Sequence, residues 1–100
     1  MTTPDHRAAA EERIQFLVAA LQALPQTSER DALVNECTSL NVAIRAFHME
    51  GIRFRMFNVD RLLTRGGLAV PAAATEAFAE ARRHLEAAGF HTRSHQAPTT

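Results

Sequence analysis

The chain has 100 residues, of which 46% are apolar and 22% are charged, and its formal net charge is zero. This size fits one small globular domain, and the charge balance is far from the strongly basic footprint expected of a nucleic-acid-binding protein. Nineteen of the apolar residues are alanines and only 23 residues are Leu, Ile, Val or Phe, so the core should be thin and would gain from burial against a second copy.

Two long amphipathic helices are predicted in the first half of the chain. Apolar residues from Ile14 to Leu24 follow at helical spacing until Pro25 ends the run, which predicts a helix over residues 4–24. A second apolar stripe follows Ser28 and steps by four, three, four and three residues: Leu33, Cys37, Leu40, Ile44 and Phe47. This stripe predicts a helix over residues 28–49, and the short break between the two helices suits an antiparallel helical hairpin.

The last clear helix is predicted over residues 71–89. Its inward stripe combines small and large apolar side chains: Ala74, Phe78, Ala81, Leu85 and Ala88. Gly89 suits the left-handed position that follows a helix, and Phe90 is placed to fold back on Leu85. Residues 93–100 are polar and contain Pro98, so we expect a disordered tail after a single domain of residues 1–92.

The segment between these helices fits two structures. As a helix, its apolar residues form a stripe with steps of three, four, three and four: Met49, Ile52, Met56, Val59 and Leu63. As a strand, its apolar and arginine residues alternate over residues 52–57, and the natural partner strand is residues 90–94. Gly51 marks a joint in either case.

We favour the helix, and so an all-α fold, a small helical bundle built on the antiparallel hairpin. The alternative is an α+β fold with the two-stranded ribbon.

Charge is unevenly distributed although its sum is zero. Residues 1–44 hold three arginines and six acidic residues, whereas residues 45–65 hold five arginines and two acidic residues. Four arginines of this basic segment lie among phenylalanines and are weak candidates for binding an anion: Arg53, Arg55, Arg61 and Arg65.

The apolar residues of the basic segment are the candidate contact surface: Ile52, Phe54, Met56 and Phe57. Placing Ile52 and Met56 inward puts Phe54 and Phe57 on the opposite side, and a helix with aromatic residues on both sides requires two neighbours. We therefore expect a homo-oligomer, in the first place a dimer, that acts as an interaction or regulatory protein. A different protein is the second candidate partner. The alternatives are a regulator that binds nucleic acid through the arginines, a weaker prediction, and a small enzyme whose site forms between subunits.

No catalytic motif, cofactor site or metal site is predicted. Cys37, Asn41 and His48 share one helical line, but about 16 Å of helix separates the cysteine from the histidine, too far for a nucleophile and its base. His84, His91 and His95 lack a further ligand at a recognised spacing.

The expected location is the cytoplasm. No apolar stretch approaches the roughly 18 to 20 residues of a membrane span, and no secretory signal opens the chain. Cys37 is the single cysteine, which fits a reducing compartment. We therefore expect no membrane partner.

Overall fold

The computed structural model describes residues 5–90 and shows four α-helices and no strand within them. The helices are α1 (His6–Gln22), α2 (Ser28–Ala46), α3 (Met49–Arg65) and α4 (Ala72–Ala87). The all-α prediction is confirmed. The alternative ribbon is wrong, because residues 52–57 lie inside α3. The predicted tail, residues 93–100, and most of the ribbon's second strand lie outside the described residues.

The first two helices begin at polar caps. The Asp5 side chain accepts the Ala8 N–H at 3.0 Å, so α1 starts two residues later than the predicted residue 4. The Thr27 hydroxyl accepts the Arg30 N–H at 3.0 Å, and α2 begins at residue 28, as predicted. Each side-chain oxygen satisfies an N–H that has no partner within its own helix.

Helix α2 ends three residues earlier than predicted because Phe47 adopts the left-handed conformation, with φ 50° and ψ 45°. The Phe47 N–H donates to the Ile44 carbonyl at 2.9 Å, and the His48 N–H donates to the Ala43 carbonyl at 3.0 Å. These two bonds form a Schellman motif, which ends a helix and turns the chain away. The connection from α2 to α3 is therefore only two residues long.

Helix α3 begins immediately afterwards, with His48 as its N-cap. The His48 Nδ1 atom accepts the Gly51 N–H at 3.0 Å. The prediction that Gly51 marks the joint is wrong, since this residue lies in the first turn of α3. A β-carbon at Gly51 would lie 3.0 Å from His48 Nδ1 and 3.3 Å from the Ala43 Cβ, so the absence of a side chain allows α3 to start close against α2.

The core is formed by one apolar stripe from each helix. Its largest fully buried side chains are Phe90, Ile14, Leu17, Leu21, Leu33, Leu40, Ile44, Ile52 and Leu85. Helix α4 ends at Ala87, two residues before the predicted end, but the predicted turn after it is confirmed: Gly89 has φ 108°, and the Phe90 N–H donates to the Leu85 carbonyl at 2.9 Å. This turn carries the Phe90 ring back into the core, where it is fully buried.

The helices pack in a defined order around this core. Helix α1 packs against both α4 and α2, and α2 packs in turn against α3. Helices α3 and α4 meet through arginine side chains: an Arg82 nitrogen lies 3.8 Å from an Asp60 oxygen, and the Arg53 guanidinium lies 5.8 Å from the centre of the Phe90 ring. With α2 on one flank and the Arg82 and Phe90 side chains on the other, the side of α3 opposite the core faces outward.

Candidate interaction surface on helix α3

The two sides of α3 differ in exposure. Ile52 and Val59 are fully buried and Met56 is 3% exposed, whereas Phe54 is 58% exposed and Phe57 is 64% exposed. A helix turns about 100° per residue, and this spacing places the two phenylalanines away from the buried stripe. The predicted contact surface is therefore corrected: Ile52 and Met56 belong to the core.

The flank of α3 that faces α2 is held by a carboxylate. Glu36 on α2 accepts a bond from Arg55 Nη1 at 3.1 Å and another from Asn58 Nδ2 at 3.2 Å. The Arg55 guanidinium also lies 5.1 Å from the centre of the exposed Phe54 ring. Arg55 thus joins the α2 contact to the edge of the exposed aromatic surface.

The opposite flank of α3 is occupied by Arg53. Its guanidinium pairs with Glu50 at 3.1 Å and lies over the Phe90 ring next to α4. The four arginines that are weak candidates for binding an anion are therefore divided between two environments. Arg53 and Arg55 bind carboxylates of the same chain, while Arg61 and Arg65 lie on exposed positions farther along α3.

We define the outer face of α3 as Glu50, Phe54, Phe57 and Arg61, which are all exposed. At about 100° per residue these positions fall within a sector of about 60°. The Arg61 guanidinium lies 6.0 Å from the centre of the Phe57 ring. The outer face therefore presents two aromatic rings between an acidic and a basic side chain.

Two other large apolar side chains are exposed outside α3. They are Phe16 on α1, at 45%, and Val42 on α2, at 61%. Val42 lies nine residues after Leu33, half a turn from the buried stripe of α2, and this spacing could have identified it from the sequence. Phe16 lies 5.1 Å from the Arg13 guanidinium. Helices α1 and α2 thus each show one large exposed apolar side chain among the described residues, whereas α3 shows two phenylalanines and presents the larger aromatic surface.

The polar line of α2 does not form a catalytic group. Cys37 is fully buried, and this burial, with a smaller contribution from Glu36, raises the pKa of its thiol to about 12. The Asn41 side chain instead donates to the Glu11 carbonyl of α1 at 3.3 Å, and His48 caps α3. A protonated, enclosed thiol cannot act as a nucleophile at neutral pH.

The histidines give one close pair. His6 Nδ1 lies 3.1 Å from His84 Nδ1 and links the start of α1 to the end of α4. Across residues 5–90, no group of three or more His, Cys, Asp or Glu side chains is arranged to hold a metal ion. His91 and His95 lie outside the described residues. None of the helices in the same range combines the length and apolar character needed to cross a membrane.

Comparison with known proteins gave no matching family model, no matching curated protein and no matching solved structure. The function is therefore inferred from the chemistry of the outer face of α3.

Proposed function

We propose that the protein is a small interaction or regulatory protein that self-associates through the outer face of α3. The observation that carries this proposal is the exposure of Phe54 and Phe57, at 58% and 64%, on a helix whose other side is buried. Aromatic residues are enriched at protein interfaces, where they supply most of the binding energy. A homodimer would cover both rings and so remove apolar surface from water.

A protein partner explains this surface better than a nucleic acid does. Binding to phosphates requires several unengaged cations and shows a steep dependence on salt. Arg55 is already held by Glu36 through a part-buried ion pair, and the whole chain has no net charge. Association through the phenylalanine rings should instead hold or strengthen as salt is added.

The remaining alternative, an enzyme with a site between subunits, has less support. Cys37, the strongest nucleophile in the sequence, is enclosed by the core and its pKa is raised. The proposal also places the protein in the cytoplasm, because a single buried thiol suits a reducing compartment.

The test is the Phe57→Ala variant. Interface aromatics of this kind contribute about 2 kcal/mol or more, which corresponds to roughly 30-fold weaker association. The fold should survive, because the Phe57 ring is 64% exposed. Truncating it should cost much less folding stability than the about 3–5 kcal/mol lost when a buried phenylalanine is replaced by alanine. Sedimentation velocity over a range of concentrations measures the association, and circular dichroism confirms the helices.

Phe16→Ala is the matched control, since Phe16 is also partly exposed and also lies beneath an arginine. We expect the control to associate like the wild type. An unchanged oligomer in Phe57→Ala, or a wild type that is monomeric at all concentrations, contradicts the proposal. Association that collapses as salt is raised would instead indicate binding through charge.

A further inference from the structure

The outer face of α3 has a symmetric order along the helix. Its residues occur as acid, aromatic, aromatic and base: Glu50, Phe54, Phe57 and Arg61. Phe54 and Phe57 are equally far from the midpoint between residues 55 and 56, and so are Glu50 and Arg61. The acid and the base are therefore matched in position but opposite in charge.

We propose that the partner of this face is a second copy of the chain, docked with its α3 antiparallel about a two-fold axis through that midpoint. This inference rests on the proposed function. In a two-fold contact, if one residue touches a second, the second touches the first in return. Phe54 therefore packs against the partner's Phe57, and Glu50 pairs with the partner's Arg61, each contact occurring twice.

The charges select the antiparallel direction. A parallel pair would bring Glu50 against the partner's Glu50 and Arg61 against the partner's Arg61, and like charges placed together disfavour a complex. The antiparallel pair converts both repulsions into attractions. The phenylalanines contact each other in either direction, so the two charged residues determine the orientation.

Both charged residues are available for this contact. The Glu50 side chain is 83% exposed, and its pairing with Arg53 is a surface ion pair within one helix, which contributes little to stability. Arg61 is exposed at the edge of the aromatic surface. A contact made by one helix from each copy falls at the small end of protein interfaces, below about 1,200 Å², which is typical of weak and transient complexes. The dimer should therefore form at micromolar or higher concentrations.

Charge reversal tests the register. Glu50→Arg alone creates two repulsive arginine pairs, and Arg61→Glu alone creates two repulsive acid pairs. Each single variant should self-associate at least about tenfold more weakly than the wild type at low salt. An equimolar mixture of the two variants should form a heterodimer, because one copy then carries two bases and the other two acids. The Glu50→Arg/Arg61→Glu double variant should also recover self-association.

Two control variants repeat the same changes at equivalent helix positions. Glu29 is the second residue of α2, as Glu50 is of α3, and Arg83 lies four residues before the end of α4, as Arg61 does in α3. Glu29→Arg and Arg83→Glu therefore reproduce the change in net charge and the effect on the helix dipole. Neither should weaken self-association. Circular dichroism of every variant confirms that the helices persist.

Cysteine cross-linking measures the direction of the helices independently. Cys37 is buried and protonated, so introduced thiols dominate the reaction. A mixture of Glu50→Cys and Arg61→Cys should cross-link readily. Glu50→Cys alone should not, because about 16 Å of helix separates that position from its copy in the antiparallel pair.

Two results would overturn the proposed register. They are self-cross-linking of Glu50→Cys, and single reversals that associate like the wild type while Phe57→Ala is monomeric. In both cases the surface proposed above would stand and the antiparallel pairing would fail. Unchanged association of Phe57→Ala would show that the outer face of α3 is not the contact surface.

Discussion

Burial of Cys37 should make the protein lose stability in alkaline solution. Burial raises the pKa of this thiol in the folded protein from its ordinary value of 9.0 to about 12. Above pH 9 the unfolded chain releases the proton while the folded protein retains it. The folded state then binds more protons than the unfolded state, so the free energy of unfolding must fall as the pH rises.

The size of the effect follows from the difference between the two pKa values. Each pKa unit corresponds to about 1.4 kcal/mol, so three units give a loss of about 4 kcal/mol once the pH reaches 12. At pH 11 about 3 kcal/mol should be lost, a large share of the roughly 5–15 kcal/mol that stabilises a typical domain.

The composition of the chain makes this effect easy to isolate. The sequence contains no tyrosine, and its eleven basic residues other than histidine are all arginines. Lysine and tyrosine are the other side chains that ordinarily titrate near pH 10. Cys37 is therefore the one residue of these three types in the chain.

The assay is urea unfolding followed by circular dichroism at pH 8, 9, 10 and 11 under reducing conditions, with Cys37→Ala as the control. At pH 8 the variant should be less stable by about 1 kcal/mol, close to the cost of removing one buried methylene-sized group. At pH 11 it should be the more stable protein. Parallel losses in both proteins, or a wild type whose stability is constant to pH 11, would refute a buried protonated thiol.

Two further predictions concern the helix ends. His48→Ala should lower the free energy of unfolding by about 1 kcal/mol, because it removes the acceptor of the Gly51 N–H. His48→Asn should restore most of that stability, because asparagine is a preferred N-cap. An equal loss of stability in both variants would show that the cap contributes nothing. Phe90→Ala should cost about 3–5 kcal/mol, since the ring is fully buried. A loss no larger than that of Phe57→Ala in the same urea titration would place Phe90 outside the core.

The sequence predicts those helices whose apolar residues recur at one spacing only. The apolar stripes of α1, α2 and α4 fit only helical spacing, and the structure buries most of their residues. Helix α3 was ambiguous because Ile52 and Met56 satisfy both periods: they are four residues apart, and they alternate with arginines. Val59, a full turn farther on and also buried, continues the helical stripe. Apolar residues that keep helical spacing over more than six residues thus distinguish the helix from a short strand.

The sequence does not predict the turn between α2 and α3. Phe47 continues the apolar stripe of α2, but its backbone adopts the left-handed conformation, which costs a residue with a side chain more than it costs glycine. Histidine is also an uncommon N-cap, since Ser, Thr, Asp and Asn are preferred there. The prediction that the nearby Gly51 marks the joint is wrong. Its role is steric and appears only when α2 and α3 are packed together.

The arginines explain how a chain with a thin core accommodates six phenylalanines. Five of the rings lie within 5.1 to 6.0 Å of a guanidinium: Phe16 with Arg13, Phe54 with Arg55, Phe57 with Arg61, Phe78 with Arg82, and Phe90 with Arg53. An arginine covers apolar surface with its stem and attracts the ring face with its charge, yet it stays hydrated at its end. On the outer face of α3 the guanidiniums of Arg55 and Arg61 lie beside the two rings, which remain 58% and 64% exposed. In the proposed dimer, a second copy would bury these rings further while the packed core of each copy stays unchanged. This is the behaviour expected of a weak and reversible contact.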